Sequence, residues 1–132
     1  MKITVVGAGY VGLSLAVLIS QKYEVIALDI SEEKVKMINK RISPINDSEL
    51  IEYLQNKKLQ LKATSDKEIA YRNADYVIIA TPTNYDVSSG SFDTSSVEVV
   101  IAECLKFNME CTLVIKSTIP LGFTDQMRNK FN

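Results

Sequence analysis

Several residue types on which common enzyme chemistry depends are missing or rare in this sequence. The 132 residues include no histidine and no tryptophan, and only two cysteines and three prolines. Histidine is the commonest metal ligand and general base, so we expect neither a metal site nor Ser-His-Asp or Cys-His catalysis. Cys104 and Cys111 form no Cys-x-x-Cys motif and no disulfide framework, which favours a cytoplasmic protein.

A charge excess and long hydrophobic runs are missing too. Lys and Arg number 15 against 16 Asp and Glu, a net charge of −1, so we expect no nucleic-acid or anionic-membrane partner. The apolar runs are too short to span a bilayer, and the first residues do not form a secretory signal. With 46% apolar and 23% charged residues, the chain has the composition of one globular domain, residues 1–132.

Strand and helix patterns alternate along the chain. Residues 10–22 predict a helix that is apolar on most sides and largely buried, residues 59–64 alternate like an edge strand, and residues 84–93 predict a loop. The predicted strands are 3–6, 24–30, 59–64, 76–80 and 112–115, and the predicted helices are 10–22, 31–40, 48–56, 66–73, 95–107 and 124–131. This alternation predicts an α/β fold with a doubly wound parallel sheet of strand order 3-2-1-4-5.

The turn between the first predicted strand and helix carries the motif Gly-x-Gly-x-x-Gly. In a dinucleotide-binding turn, Gly7 would permit the tight bend, Gly9 would let a pyrophosphate approach the backbone, and Gly12 would let the helix pack closely on the strand. The free amides of the first helical turn would then face the anion. The alternative is a glycine turn that serves packing alone.

An acidic residue follows the second predicted strand. Asp29 lies about twenty residues after Gly7, where a carboxylate accepts hydrogen bonds from both hydroxyls of an adenosine ribose. Its charge would repel a 2′-phosphate, so it favours NAD over NADP. Lys34 follows in the first turns of the next helix and could reach the same ribose or a phosphate. The alternatives are a surface turn residue for Asp29 and a solvated lysine for Lys34.

Hydroxyl groups and prolines follow two further strands, in the segments 81–83 and 116–120. Ligands of open parallel sheets bind at the carboxyl ends of the strands, near the switch in strand order. These segments, Gly9 and Asp29 therefore converge on one predicted crevice. Hydroxyl residues are also ordinary strand terminators, so each taken alone is weak evidence.

Three segments resemble one enzyme family along the whole chain. The motif GAGYVGL with Asp29, the segment ATPTNY ending at Tyr85, and the segment KSTIPLGF at 116–123 are similar to those of the UDP-glucose 6-dehydrogenases. These enzymes are a branch of the UDP-glucose/GDP-mannose dehydrogenase family. The segments 83–85 and 92–94 favour the UDP-glucose branch over the GDP-mannose branch.

This resemblance implies a Rossmann-type domain and an NAD-dependent, two-step oxidation of UDP-glucose to UDP-glucuronate that consumes two NAD. Val11 would lie against the pyrophosphate, Thr83 would meet the cofactor nearer the nicotinamide, and Thr118 would contact the cofactor and help place a water and a base. Thr118 is thus the candidate catalytic residue. The implied cofactor-binding residues are Gly7, Gly9, Tyr10, Val11, Gly12, Asp29, Lys34, Thr83 and Thr118.

The chain departs from the family pattern because it does not contain the family's cysteine nucleophile. The family's nucleophile is a cysteine in the second half of a much longer chain, beside a Lys and an Asn, and neither Cys104 nor Cys111 matches that motif. We therefore expect an amino-terminal, NAD-binding part of a longer family chain that lacks the carboxyl-terminal half and is inactive alone. UDP-glucose would be the substrate of the full-length enzyme. The resemblance leaves open whether that enzyme is a homodimer.

Two alternatives remain at this point. One is the equivalent part of another NAD-dependent dehydrogenase, of the UDP-N-acetylmannosamine or the 6-phosphogluconate/hydroxyacyl type. The other is a stand-alone module that binds or senses NAD. The coding sequence beyond residue 132 would discriminate between them.

Overall fold

Five parallel strands form the central sheet of the computed structural model, which describes residues 1–131. Its order is β3-β2-β1-β4-β7, with helices on both faces. The strands are β1 Lys2–Val6, β2 Glu24–Leu28, β3 Leu61–Thr64, β4 Tyr76–Ile79, β5 Tyr85–Asp86, β6 Ser91–Phe92 and β7 Thr112–Ile115. The helices are α1 Tyr10–Ser20, α2 Glu32–Asn39, α3 Ser48–Asn56, α4 Lys67–Tyr71, α5 Ser95–Phe107 and α6 Phe123–Phe131. The predicted doubly wound sheet is confirmed, because β7 is the fifth strand of this sheet along the chain.

The burial of each strand follows its place in the sheet. In β1, the central strand, residues 3–6 are all buried because helices cover both faces. In β3, at the edge, Leu61 and Ala63 are buried while Lys62 is exposed, as the alternation predicted. The side-chain amide of Asn39 pairs with the backbone of Ala63 through two hydrogen bonds of 2.8 and 3.0 Å, which occupies part of this edge.

Two apolar clusters cover the two faces of the sheet. The first packs Leu13 and Val17 of α1 with α2 and α3, and the second packs Val97 and Ile101 of α5 with α4 and α6. The predicted apolar character of α1 on most sides is confirmed, but the helix is less buried than expected, because only one stripe of it is fully buried against the sheet. Its other face exposes apolar side chains, among them Tyr10, Val11 and Leu18.

The segment 84–93 is more ordered than the predicted loop. It forms a two-stranded antiparallel hairpin, β5 with β6, and the rings of Tyr85 and Phe92 pack edge to face across it at 5.1 Å. The hairpin turns at Gly90, which has a φ of +66° and whose amide donates to the carbonyl oxygen of Asp86. The segment is predicted as a loop because most of its residues are polar, and this pattern gives no sign of the aromatic pair.

Other boundaries differ from the predictions by a few residues. The second strand ends at Leu28 rather than at residue 30, because the chain turns at Asp29. Among residues 1–131, no helix is long and apolar enough to cross a membrane.

Candidate functional site

Gly7 and Gly12 are required by the packing of the turn between β1 and α1. Gly7 has a φ of +98°, and a Cβ there would lie 2.8 Å from the carbonyl oxygen of Ala80 in the loop after β4. A Cβ on Gly12 would lie 1.8 Å from the carbonyl oxygen of Gly7. These glycines let the helix start pack directly on the strand end.

Gly9 has no such internal reason to be a glycine. Its φ of −79° suits any residue, and a Cβ built there meets no heavy atom within 4 Å. Packing therefore accounts for two of the three motif glycines and leaves Gly9 unexplained. Open space beside a glycine backbone is what the close approach of a pyrophosphate requires.

The N-terminus of α1 carries no side-chain cap. Gly9 is its N-cap residue, whereas the side chains of Ser31, Asp47 and Asp66 cap α2, α3 and α4. The first amides of a helix and its dipole make an uncapped N-terminus attractive to an anion. Together with the space at Gly9, this end of α1 forms a cradle that suits the diphosphate of NAD.

Asp29 joins the end of β2 to the glycine turn. Its Oδ2 atom accepts a hydrogen bond of 2.8 Å from the amide of Ala8, and its Oδ1 atom accepts one of 2.9 Å from the amide of Ser31. Each carboxylate oxygen keeps a second lone pair with which it can accept a ribose hydroxyl. Asp29 is thus an integral part of the turn rather than a free surface residue.

Lys34 does not meet the other candidate residues. Its backbone amide donates to the Oγ atom of Ser31 as part of the α2 cap. Among the described residues, its ammonium group forms no ion pair, with Asp29 or with any other carboxylate. Its contact with a ribose or phosphate stays a prediction.

Thr83 and Thr118 come together at the ends of β4 and β7. The Thr83 hydroxyl donates to the carbonyl oxygen of Thr118 at 2.6 Å, and the Ser117 hydroxyl donates to the carbonyl oxygen of Thr81 at 2.6 Å. Ser96, at the start of α5, donates to the carbonyl oxygen of Pro82 at 2.8 Å. These hydroxyls fix the two loops to each other while the Thr118 residue stays exposed.

A pocket of about 430 Å³ extends from the glycine turn along the carboxyl ends of the strands to α4 and α5. Its volume is in the usual range for small-molecule sites. Gly7 and Asp29 of the predicted cofactor-binding residues line it, and so do Thr81 and Pro82 of the predicted crevice segment 81–83. The apolar part of its wall consists mainly of Val6, Leu28, Ile30, Tyr71, Pro82, Val99 and Val100.

Sequence reasoning missed the apolar wall of this pocket. Ile30 follows Asp29 directly and is 91% exposed, which is unusual for isoleucine. Val99 is also exposed, whereas neighbouring Val100 belongs to the core. The sequence signal that was available for this apolar wall is Ile30, which directly follows the strand-ending Asp29. Two apolar side chains beside a carboxylate suit a flat aromatic base next to its ribose.

Two buried groups, Tyr71 of the pocket wall and Cys104 of the core, remain neutral near pH 7. Burial raises the pKa of Tyr71, and burial together with its hydrogen bond to Cys111 raises the pKa of Cys104 to about 12. Neither group is therefore ionised near neutral pH, so neither can serve as a general base there. Among residues 1–131, no three His, Cys, Asp or Glu side chains are grouped so that they could hold a metal ion.

Comparison with known proteins gives one consistent family. The model of the NAD-binding domain of the UDP-glucose/GDP-mannose dehydrogenase family matches residues 1–131. The UDP-glucose 6-dehydrogenase of Streptococcus pneumoniae is 54% identical over 132 residues, which are 100% of this chain and 34% of that protein. The enzyme of the same name from Campylobacter jejuni is 44% identical, with 100% and 34% covered. The chain thus spans about a third of the length of these relatives.

Solved structures show the same fold. A GDP-mannose dehydrogenase from Pseudomonas aeruginosa superposes with a TM-score of 0.83 at 30% identity, over 95% of this chain and 30% of that one. A UDP-D-ManNAc dehydrogenase from Pyrococcus horikoshii gives a TM-score of 0.85 at 28% identity, over 98% and 31%.

Substitution of Gly9 should separate binding from folding. We expect Gly9→Ala to keep the stability of the parent, since its Cβ meets nothing, and to bind NAD at least about tenfold more weakly, a loss of about 1.4 kcal/mol. Gly12→Ala is the matched control and should lower the melting temperature, because its Cβ collides with backbone. Calorimetric titration and thermal unfolding measure both effects. Unchanged NAD affinity in Gly9→Ala would refute the cradle.

Substitution of Asp29 should change the choice of cofactor. We expect the parent to bind NAD more tightly than NADP. Asp29→Asn should reduce this difference in affinity, because it removes the charge that repels a 2′-phosphate. Asp29→Ala should weaken NAD binding by roughly 1.5–3 kcal/mol. Asp125→Asn, at an exposed position of α6, is the control and should leave the difference in affinity between NAD and NADP unchanged. Titrations with both cofactors measure it, and equal or tighter binding of NADP by the parent would contradict the assignment.

Proposed function

The chain belongs to the UDP-glucose/GDP-mannose dehydrogenase family as its NAD-binding domain, and from this premise we propose that it serves a UDP-glucose 6-dehydrogenase. That enzyme would oxidise carbon six of UDP-glucose to a carboxylate, giving UDP-glucuronate at the expense of two NAD. The single observation that carries the cofactor part of the proposal is the open space at Gly9, beside an uncapped helix N-terminus.

The residues present fit NAD from end to end. The turn at Gly9, flanked by Tyr10 and Val11, would hold the pyrophosphate. Asp29 would accept the adenosine ribose hydroxyls, and Lys34 would approach the same ribose. The apolar wall beside Ile30 would take the adenine. Bound NAD would supply the hydride acceptor of the reaction at its nicotinamide.

Thr83 and Thr118 are proposed for the nicotinamide end. Their loops follow β4 and β7, which lie on the opposite side of β1 from β2 and Asp29. Thr83 uses its hydroxyl to hold the Thr118 backbone, so the exposed Thr118 hydroxyl remains available to a water at the reacting carbon. A neutral hydroxyl can orient that water but is a poor base near neutral pH.

The choice of UDP-glucose rests on sequence rather than on fold. Two relatives that match the whole chain, at 54% and 44% identity, are UDP-glucose 6-dehydrogenases. Solved dehydrogenases of GDP-mannose and of UDP-D-ManNAc share the fold at 30% and 28% identity, so the architecture is common to enzymes of several nucleotide sugars. The identities therefore support UDP-glucose over the other sugars.

We expect the 132-residue chain to bind NAD but not to oxidise UDP-glucose. Oxidation of the aldehyde stage needs a covalent adduct of the kind that a thiolate provides. Cys104 is buried in the core, and Cys111 precedes β7 at its amino end, far from the Thr118 end of that strand. NADH formation from NAD and UDP-glucose, followed at 340 nm, should stay at background. Steady turnover by this chain alone would refute the assignment of the site.

A chimera supplies the positive arm of this experiment. In it, the chain replaces the matched third of the Streptococcus pneumoniae relative, with which it is 54% identical. We expect the chimera to produce two NADH per UDP-glucose. An inactive chimera that still binds NAD would count against the proposed role of this chain in catalysis.

In the chimera, Thr118→Ala should lower kcat at least about tenfold while changing the KM for NAD little, because the hydroxyl would orient a water rather than bind the cofactor's adenosine half. Thr112→Ala, an exposed threonine at the other end of the same strand, is the matched control and should leave kcat unchanged. Steady-state kinetics at saturating UDP-glucose measure both constants. Equal rates for the two variants would reduce Thr118 to a strand terminator.

A further inference from the structure

Two thiols lie close together at the amino end of the sheet, and neither of them lines the pocket of the candidate site. Cys104, near the end of α5, and Cys111, directly before β7, have Sγ atoms 3.5 Å apart. Cys104 is fully buried and Cys111 is partly exposed. Nothing in the proposed function uses either residue. A disulfide has an S–S distance of about 2.05 Å, so the two sulfurs need a small approach rather than an unfolding of the chain.

The turn between the two cysteines is held in place by one side chain. The Oδ1 atom of Asn108 accepts hydrogen bonds from the amides of Glu110 and Cys111, at 3.0 and 3.1 Å. Its Nδ2 group donates to the carbonyl oxygens of Tyr71 and Ala74, at 2.8 and 2.9 Å. Asn108 thus anchors the turn to the end of α4, and it keeps Cys111 facing Cys104.

We propose that Cys104 and Cys111 form a reversible intramolecular disulfide when the protein meets hydrogen peroxide. The Cys111 sulfur attacks one peroxide oxygen, the O–O bond breaks, and the other oxygen leaves as water with the thiol proton, which gives a sulfenic acid. The Cys104 sulfur then attacks the Cys111 sulfur, the S–O bond breaks, and the hydroxyl leaves as water with the Cys104 proton. Two thiols lose two electrons in total, and one peroxide becomes two waters.

The order of these two steps follows from the surroundings of each sulfur. Cys104 lies in the apolar cluster around α5, where burial raises its pKa to about 12, so it stays a thiol and has no contact with solvent. Cys111 reaches the surface and meets the oxidant first. Cys104 is then the resolving cysteine, already in contact with the oxidised sulfur.

The bond would tie the end of α5 to the start of β7, because Cys104 belongs to α5 and Cys111 directly precedes β7. A cross-link that the native structure accommodates stabilises a protein mainly by restricting its unfolded chain. Oxidation should therefore raise the melting temperature, and a dithiol reductant should restore the original value. Since the thiols do not belong to the NAD crevice, this proposal stands or falls apart from the proposed function.

The experiment treats the folded 132-residue chain with hydrogen peroxide and follows its intact mass. We expect a loss of about 2 Da, which is two hydrogens, without dimers. Peptide mapping should find Cys104 joined to Cys111, and dithiothreitol should reverse the change. A disulfide-linked dimer as the main product, or oxidation that occurs only in urea, would overturn the proposal.

Single variants test the order of the steps. In Cys104→Ser, the sulfenic acid on Cys111 has no resolving partner, so dimedone should trap it there. In Cys111→Ser, dimedone should label nothing and the mass should not fall. If serine at the buried position prevents folding, Cys104→Ala replaces it, with folding checked by circular dichroism. Dimedone labelling of Cys104 in the Cys111→Ser variant would overturn the assigned order.

Discussion

The candidate site depends on the close approach of α1 to the end of β1. A Cβ at position 12 would sit 1.8 Å from the carbonyl oxygen of Gly7, and a Cβ at position 7 would sit 2.8 Å from that of Ala80. Two glycines therefore bring three pieces of backbone into contact: the turn, the helix start and the loop after β4. This contact places the uncapped N-terminus of α1 at the carboxyl edge of the sheet, which is the edge where the other candidate residues also lie.

The remaining loops of that edge are held together by polar side chains that bond to backbone. Asp29 fixes the glycine turn to the end of β2, and the hydroxyls of Thr83 and Ser117 fix the loops after β4 and β7 to each other. Strand ends have unpaired backbone groups that need partners. The residues that the sequence predicts as ligand contacts therefore also stabilise the loops. The effect of substituting them on binding has to be compared with its effect on folding stability.

Sequence reasoning reached the fold because local signals agreed with one another. The apolar runs, the edge alternation at Leu61–Thr64 and the glycine spacing all predicted the same doubly wound sheet. It missed features that depend on distant or cross-strand contacts. The hairpin at 84–93 rests on the Tyr85–Phe92 pair within a polar segment, and the pocket wall at Val99 depends on how α5 packs. Asp29 has a second role as an acceptor for two backbone amides, and no local sequence pattern predicts it.

That second role has a consequence for binding. A flexible surface carboxylate must lose rotamer freedom when it binds a ribose, and this loss weakens the complex. The Asp29 carboxylate is already held by the amides of Ala8 and Ser31, one on each oxygen, and Ala8 belongs to the turn that would bind the pyrophosphate. The proposed ribose acceptor and the proposed phosphate cradle are therefore held in place relative to each other before any ligand binds. A dinucleotide presents its ribose and its phosphates at a fixed spacing, so a rigid pair of subsites favours it over a free nucleoside or a free phosphate, each of which can use only one of the two.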